Sequence, residues 1–270
     1  MKVTQSVSVL RCKDAQCEQV DDLVAQESVI RIVLRDSKTE ENFASIHTIP
    51  TDFESLIIGL LFSSRIITST NDITQIQVRN QLAKVQLKDA CEFQEKLRAI
   101  RPTARIVMGL CGPEEGALGT WQACDVPPIE TSHTVSTFAI QRAIQNLTSD
   151  MTVYRQTGGT HGAALVNVEG TVVRSAEDVG RHNAVDRVIG QAVQSGVDLS
   201  DLILVCSGRL TGDLVLKAAV AQIPFVASIS AGVSSGIELA EAAGITLIGF
   251  VRGTRMNIYT HSDRVIVLKD

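Results

Sequence analysis

Between residues 202 and 251 the chain switches repeatedly between two periods. Short aliphatic runs at 202–206, 225–228 and 245–251 alternate with helical patterns at 214–222 and 236–243. Strand–helix–strand alternation requires an α/β sheet with helices packed on its faces. Upstream, 137–147 reads as a helix, and 163–168 and 171–173 flank Glu169-Gly170 as a hairpin. A further helix starts at Asn183, where Val185, Val188, Ile189, Ala192 and Val193 follow the i, i+3, i+4, i+7, i+8 rule for one buried face. The tail segments 256–259 and 265–268 read as edge strands.

The first half has a different texture. Residues 1–49 alternate polar and apolar side chains, as short strands do, with a break at Asp36-Ser37-Lys38. Pro50-Thr51-Asp52 opens a helix with Thr51 as N-cap and Phe53, Leu56, Ile57, Leu60 and Leu61 as its buried face. Segments 76–79 and 83–87 form a strand pair, and 92–100 a charged helix. Residues 113–133 are irregular and contain Pro113, Pro127 and Pro128. These mark a boundary between an N-terminal α+β domain over 1–128 and an α/β domain over 129–270.

Composition narrows the function. With 44% apolar and 20% charged residues over 270 positions, the chain buries a sizeable core. A net charge of −5 argues against a general nucleic-acid or membrane-surface binder. The apolar run 56–62 is too short to span a bilayer, and the N-terminus has no apolar signal region. A cytoplasmic protein with neither nucleic-acid nor membrane partner is expected. Its six cysteines, Cys12, Cys17, Cys91, Cys111, Cys124 and Cys206, show no C-x-x-C spacing. Free thiols are therefore expected, with no metal site.

The densest polar stretch runs from Glu177 to Arg187. Glu177, Asp178, Arg181 and His182 surround Gly180 at the mouth of a buried helix, whose first N–H groups attract anions. Two further loops end strands and enter helices: Ser207-Gly208-Arg209-Leu210-Thr211-Gly212-Asp213 and the stretch from Ser228 to Gly236. Ligands of open α/β sheets bind at such strand ends. Phe250-Val251-Arg252-Gly253-Thr254-Arg255 ends another strand. Its arginines suit phosphate and its aromatic ring suits a heterocycle. His161, after Gly158-Gly159, is a candidate acid, base or phosphate partner. Cys111, between Gly109 and Gly112 in an irregular loop, has the setting of an exposed nucleophile.

Several of these motifs together resemble the FdhD family, accessory sulfurtransferases of formate dehydrogenase. They are Pro50-Thr51-Asp52-Phe53-Glu54 with Gly59-Leu60-Leu61-Phe62, Gly109-Leu110-Cys111-Gly112, Thr157-Gly158-Gly159-Thr160-His161, the string from Glu177 to Asp186, and Ser207-Gly208-Arg209 with the stretch from Gly249 to His261. The resemblance implies a cytidine-deaminase-like three-layer fold for the C-terminal domain, and a homodimer. It implies a sulfur relay: a cysteine desulfurase loads persulfide sulfur onto Cys111, which passes it to a molybdenum cofactor bearing two pterin–guanine dinucleotides, before insertion into formate dehydrogenase. Cofactor contacts are implied on Phe250, Val251, Arg252, Gly253, Thr254 and Arg255, with GDP-like nucleotides as mimics. Ser207, Arg209, Ser228, His161, Asp178, Arg181 and His182 would line the same site. The zinc signature of the deaminases is absent. One departure stands out. The family's C-G-x-C-G loop has methionine, Met108, in place of its first cysteine, which leaves a second reading open: a cofactor-insertion chaperone without sulfur transfer. A hydrolase acting on a nucleotide-like substrate is a third, weakened by the missing zinc ligands.

Overall fold

The computed structural model of the chain describes residues 2–100 and 126–267. An antiparallel ribbon, β1 (Thr4–Lys13) and β2 (Gln16–Ala25), comes first. These are long strands rather than short ones, and they form a sheet of their own. β3 (Ser28–Arg35) and β4 (Glu40–Thr48) follow, separated at Asp36-Ser37-Lys38 as expected. Helix α1 (Phe53–Ser63) leads to β5 (Ile73–Arg79), β6 (Leu82–Leu87) and α2 (Phe93–Ile100). β4-β3-β6-β5 make a four-stranded sheet covered by α1.

The N-cap of α1 is Asp52, not Thr51: its carboxylate accepts from the Ser55 N–H at 3.4 Å. Asp52 sits at φ 40°, so the chain turns through the left-handed region one residue later than the Pro-Thr pair suggested. Aspartate tolerates that region better than most non-glycine residues.

The second half begins with β7 (Val135–Ser136), α3 (Thr137–Asp150) and α4 (Thr152–Thr157). Then come β8 (His161–Val166), β9 (Val172–Asp178) and α5 (Arg181–Gln194). β10 (Ile203–Cys206), α6 (Gly212–Val220), β11 (Phe225–Ser228), α7 (Ser234–Ala242), β12 (Thr246–Arg252), β13 (Arg255–Ile258) and β14 (Val265–Ile266) complete the chain. The main sheet has the order β13-β12-β11-β10-β8-β9. β10, β11 and β12 run parallel, while β8, β9 and β13 are antiparallel to their neighbours. One face packs on α5, α6 and α7, the other on α3. That is a three-layer α/β/α arrangement. β10 and β11 are buried on both faces, which is why they read as continuous apolar runs. β14 is not an edge of this sheet; it pairs in parallel with β7.

The main sheet has a buried cluster on each face and the β4-β3-β6-β5 sheet has one of its own, and α1 bridges the latter to the α5 side of the main sheet. The apolar residues of α1 belong to the N-terminal cluster, and Phe62 and Val193 touch both it and the α5-side cluster. Ser55, Leu56, Ile57, Ile58, Gly59, Leu60 and Leu61 are all buried, so the helix is covered on every side. A Cβ on Gly59 would collide with the Asp186 carbonyl oxygen, and one on Gly190 with that of Ser55. Glycine on each helix lets the α1 and α5 backbones touch.

The expected free thiols at Cys12 and Cys17 are instead joined in a disulfide, because β1 and β2 place them directly opposite each other. Cys91 and Cys206 are free and buried. Cys111, Met108 and most of the expected boundary segment lie outside the described residues; of that segment, 126–133 carries no helix or strand.

Candidate functional site

The sheet brings most of the candidate residues to one edge. His161 begins β8, which is antiparallel to β10, so it lies beside the carboxyl end of β10. His161 Nδ1 is 3.0 Å from Ser207 Oγ, and the Gly162 N–H donates to the same hydroxyl at 3.1 Å. Asp178 pairs with His161 across β8 and β9, so α5 starts at this edge too. The loops after β10 and β11 and the end of β12 are stitched to one another by backbone bonds. Leu210 N donates to Ala231 O at 2.9 Å, Val233 N to Leu210 O at 3.1 Å and Phe250 N to Ser230 O at 2.8 Å. From β8 to β12 is three strand spacings, about 14 Å of crevice.

At its far end stands the β12–β13 hairpin. A bulge between Gly249 and Arg252 puts Phe250 at φ 51°, which breaks the regular alternation of the strand and leaves its ring half-buried. Arg252 Cζ lies 5.4 Å from that ring's centroid and Arg255 Cζ 5.7 Å, so two guanidinium groups attend one aromatic ring. Arg252 Nε also donates to Ile229 O at 3.1 Å, which fixes it against the β11 loop. Arg252, Gly253, Thr254 and Arg255 are exposed. Val251 is buried in the core shared with α3, so the expected cofactor contact from its side chain is not available.

At the near end, the N-cap residues of α5 and α6, and of α7 beside them, supply no side-chain cap, although the Gly212 N–H at the start of α6 donates to Ser235 Oγ at 3.2 Å. Arg181 and His182 occupy the first turn of α5. Gly208 is required there, because a Cβ would come within 2.8 Å of the Arg181 side chain. Burial pushes the His182 imidazole down to about 3, helped by the positive charges of Lys217 and Arg181. His161 is lowered by burial and then by Arg181. Both rings are neutral at pH 7. Asp213, in the first turn of α6, is raised by burial against the pull of Lys217 and Arg181. The His182 Nε2, Thr211 Oγ1 and Asp213 Oδ1 atoms are buried without a hydrogen-bond partner. Thr211 and Asp213 close the strand-end stretch Ser207 to Asp213 that the sequence marks as a ligand loop, though neither stands out there by itself; Lys217, one turn into the helix that follows, was missed. Arg209 is exposed on the same loop.

Two further candidates do not face the crevice. Asp178 is wholly buried and its carboxylate is saturated. Oδ2 accepts from Arg187 Nε at 2.9 Å and from the Thr48 hydroxyl; Oδ1 accepts from Asn183 Nδ2 at 2.9 Å and Gly180 N at 3.1 Å. Ser228 is likewise buried and donates to Gly208 O at 2.6 Å, tying the β11 end to the β10 loop. These residues brace the loops rather than meet a ligand. Glu177 does the same for α4, accepting from the Val153 and Tyr154 N–H groups at 2.8 and 2.7 Å.

A cavity of about 300 Å³ lies elsewhere, lined by Ile49, Asp52, Met151, Glu177 and Arg187 among others. Asp52, Glu177 and Arg187 there are already committed to capping and to the Arg187 network, so the strand-end crevice is the better candidate.

Comparison with known proteins fits this geometry. The FdhD/NarQ family model matches residues 25–266. The chain belongs to the FdhD/NarQ family. It is 36% identical over 259 residues to the "Sulfur carrier protein FdhD" of Saccharolobus solfataricus, covering 95% of this chain and 96% of that one. With the protein of the same name from Methanothermobacter thermautotrophicus it shares 32% over 269 residues, covering 98% and 100%. A solved structure described as "Crystal structure of a putative formate dehydrogenase accessory protein from Desulfotalea psychrophila" superposes with a TM-score of 0.77 at 25% identity, covering 98% of this chain and 100% of that one. The β1–β2 ribbon lies almost wholly ahead of the FdhD/NarQ match, whereas the crevice lies inside it.

Proposed function

We propose that this chain is a sulfur carrier serving formate dehydrogenase. In this reading a cysteine desulfurase delivers persulfide sulfur to Cys111: the Cys111 thiolate attacks the outer sulfur and the desulfurase thiolate leaves. The loaded Cys111 then hands that sulfur to a molybdenum cofactor carrying two pterin–guanine dinucleotides, which is the cargo, before the cofactor enters the dehydrogenase. The names of the relatives support the carrier role, and the resemblance supplies the desulfurase partner, the cytoplasmic setting and the homodimer. The main-sheet order β9-β8-β10-β11-β12, with β8 antiparallel, supports reading the C-terminal half as cytidine-deaminase-like, without deaminase chemistry.

The observation that carries the cargo assignment is the Phe250 ring attended by Arg252 and Arg255, at the end of a crevice ringed by helix starts whose N-cap residues supply no side-chain cap. The ring offers a stacking face for a guanine, and the guanidinium groups and helix N–H groups suit its phosphates. GDP is the probe. Calorimetric titration is expected to show binding to the wild-type chain and at least about tenfold weaker binding to Arg252→Ala/Arg255→Ala, the size expected for losing one or two charge-assisted contacts. Equal affinity would remove the crevice from consideration.

The sulfur step is tested separately. After incubation with a desulfurase and cysteine, the mass of the Cys111 peptide is expected to rise by one sulfur, and Cys111→Ala is expected to abolish rescue of formate dehydrogenase in a strain lacking its own accessory protein. Met108 favours one other reading, an insertion chaperone without sulfur transfer. It predicts GDP binding with no added sulfur and full rescue by Cys111→Ala.

A further inference from the structure

Cys12 and Cys17 are opposed across β1 and β2, bonded to each other and exposed. The free cysteines among the described residues are sealed away: Cys91 is 4% and Cys206 1% exposed. Burial also pushes both of those thiols up, Cys206 to about 11, which leaves little thiolate. Directly opposed residues of a ribbon share a face. The disulfide therefore shares its face with Leu10 and Leu23, which are 64% and 42% exposed. The opposite face carries Val7, Val9, Val20 and Val24, all partly covered.

The bond is not needed to set the hairpin. Asp14 and Ala15 both lie at positive φ, 49° and 63°, as a two-residue turn of matching twist demands. Arg11 and Asp22, 3.0 Å apart, and Gln19 and Ser8, also 3.0 Å apart, hold the register further down. The base is pinned by Gln26 N donating to Val3 O at 2.9 Å. What the disulfide adds is an accessible sulfur–sulfur bond on an open face with the exposed Leu10 beside it.

We propose that Cys12–Cys17 is a thiol–disulfide exchange site for a dithiol protein of the C-x-x-C class, separate in sequence from Cys111. Exposed disulfides are the reducible ones. The neighbours of Cys12 are Arg11 and Lys13, and those of Cys17 are Gln16 and Glu18. Negative charge is better tolerated on Cys12, so the incoming thiolate attacks Cys17 Sγ and Cys12 leaves as thiolate, taking a proton from solvent. The partner's second thiol, as thiolate, then attacks the partner's own sulfur in the mixed disulfide and frees Cys17. Two electrons pass from the dithiol to the pair; the partner ends as a disulfide and this chain as a dithiol.

The test uses the full chain, air-oxidised, with a reduced thioredoxin-type protein as the probe, alkylation with N-ethylmaleimide and peptide mapping. Cys12 and Cys17 are expected to be unlabelled before the probe and fully labelled after it, with Cys91 and Cys206 labelled only on denaturation. Labelling of Cys12 and Cys17 before any reductant overturns the proposal. So does a bond that survives a probe concentration sufficient to reduce insulin. A probe whose second cysteine is serine is expected to be trapped several-fold more on Cys17 than on Cys12; equal or reversed trapping overturns the direction of attack.

Discussion

Arg187 is a fully buried guanidinium in a low-dielectric setting, where a lone charge is very costly. It is tolerated because its donors are matched: Asp178 Oδ2, the Thr48 hydroxyl and the carbonyls of Ile49, Thr51 and Asp52. Removing the anion alone, in Asp178→Ala, leaves an uncompensated buried cation and is expected to cost about 3–5 kcal/mol in urea unfolding. A loss below about 1 kcal/mol would mean that the neutral acceptors suffice. His182 gives a pH signature. Its folded value, about 3, lies below the ordinary 6.5, so between those limits the unfolded chain binds more protons than the folded one. Stability should therefore fall as pH drops from 6.5 towards 5, by at most about 1.4 kcal/mol per unit from this group. His182→Gln is expected to flatten that slope in denaturant titrations between about pH 5 and 6.5, the upper part of the window in which only the unfolded chain takes up the proton; an unchanged slope would exclude His182 as its source. The string from Glu177 to Arg187 announced itself as polar, but not which members face inward. Asp178 ends a strand and Arg187 lies further along the next helix, so only the tertiary crossing makes them partners.

At the level of elements, the contact of α1 with α5 depends on two glycines. Gly190→Ala is expected to destabilise the chain by at least the about 1–3 kcal/mol usual for overpacking, since the opposing atom is a backbone carbonyl that cannot rotate away. Thermal unfolding would check it, and an unshifted midpoint would mean the helices separate freely. The alternating elements from α5 to β12 were legible because each has a clean period and a turn between. α1 was legible as a helix, but its buried positions beyond the main stripe, Ile58 and Gly59, pointed to a second packing partner that the stripe alone did not name. α4 was missed. It is six residues long, and its free N–H groups are capped by Glu177, 23 residues away from Tyr154, a stabilisation invisible to any local window. β14 was misplaced because a two-residue strand takes its partner from tertiary packing rather than from pattern.

For the whole molecule, the boundary expected near residue 128 would divide the cluster under the β4-β3-β6-β5 sheet from the two clusters on the faces of the main sheet, yet α1 and α5 tie them together. α1 lies in the N-terminal half and α5 in the C-terminal half. Besides their glycine contact, Lys217 Nζ binds Asp186 at 2.8 Å and Ser63 at 3.1 Å, and Arg187 binds the carbonyls of Thr51 and Asp52. Separating the halves would expose an apolar face of α1 and strip partners from Arg187, Asp186 and Lys217 at once. Neither half can lose its fold while the other keeps those groups satisfied. Calorimetry and far-ultraviolet dichroism are therefore expected to give one coincident unfolding transition for the intact chain, with calorimetric and van't Hoff enthalpies equal. Two resolved transitions would show that the cores are independent. A chain ending at residue 100 is expected to remain unfolded or to aggregate, because α1 would present its α5-facing side, including Gly59 and Ser55, to water. The same coupling bears on the crevice, since α5 supplies Arg181 and His182 at one end of the helix and the α1 contact at Gly190 further along. A substitution that loosens the α1–α5 crossing, such as Gly190→Ala, should therefore weaken GDP binding as well as stability, in the subset of molecules that remain folded.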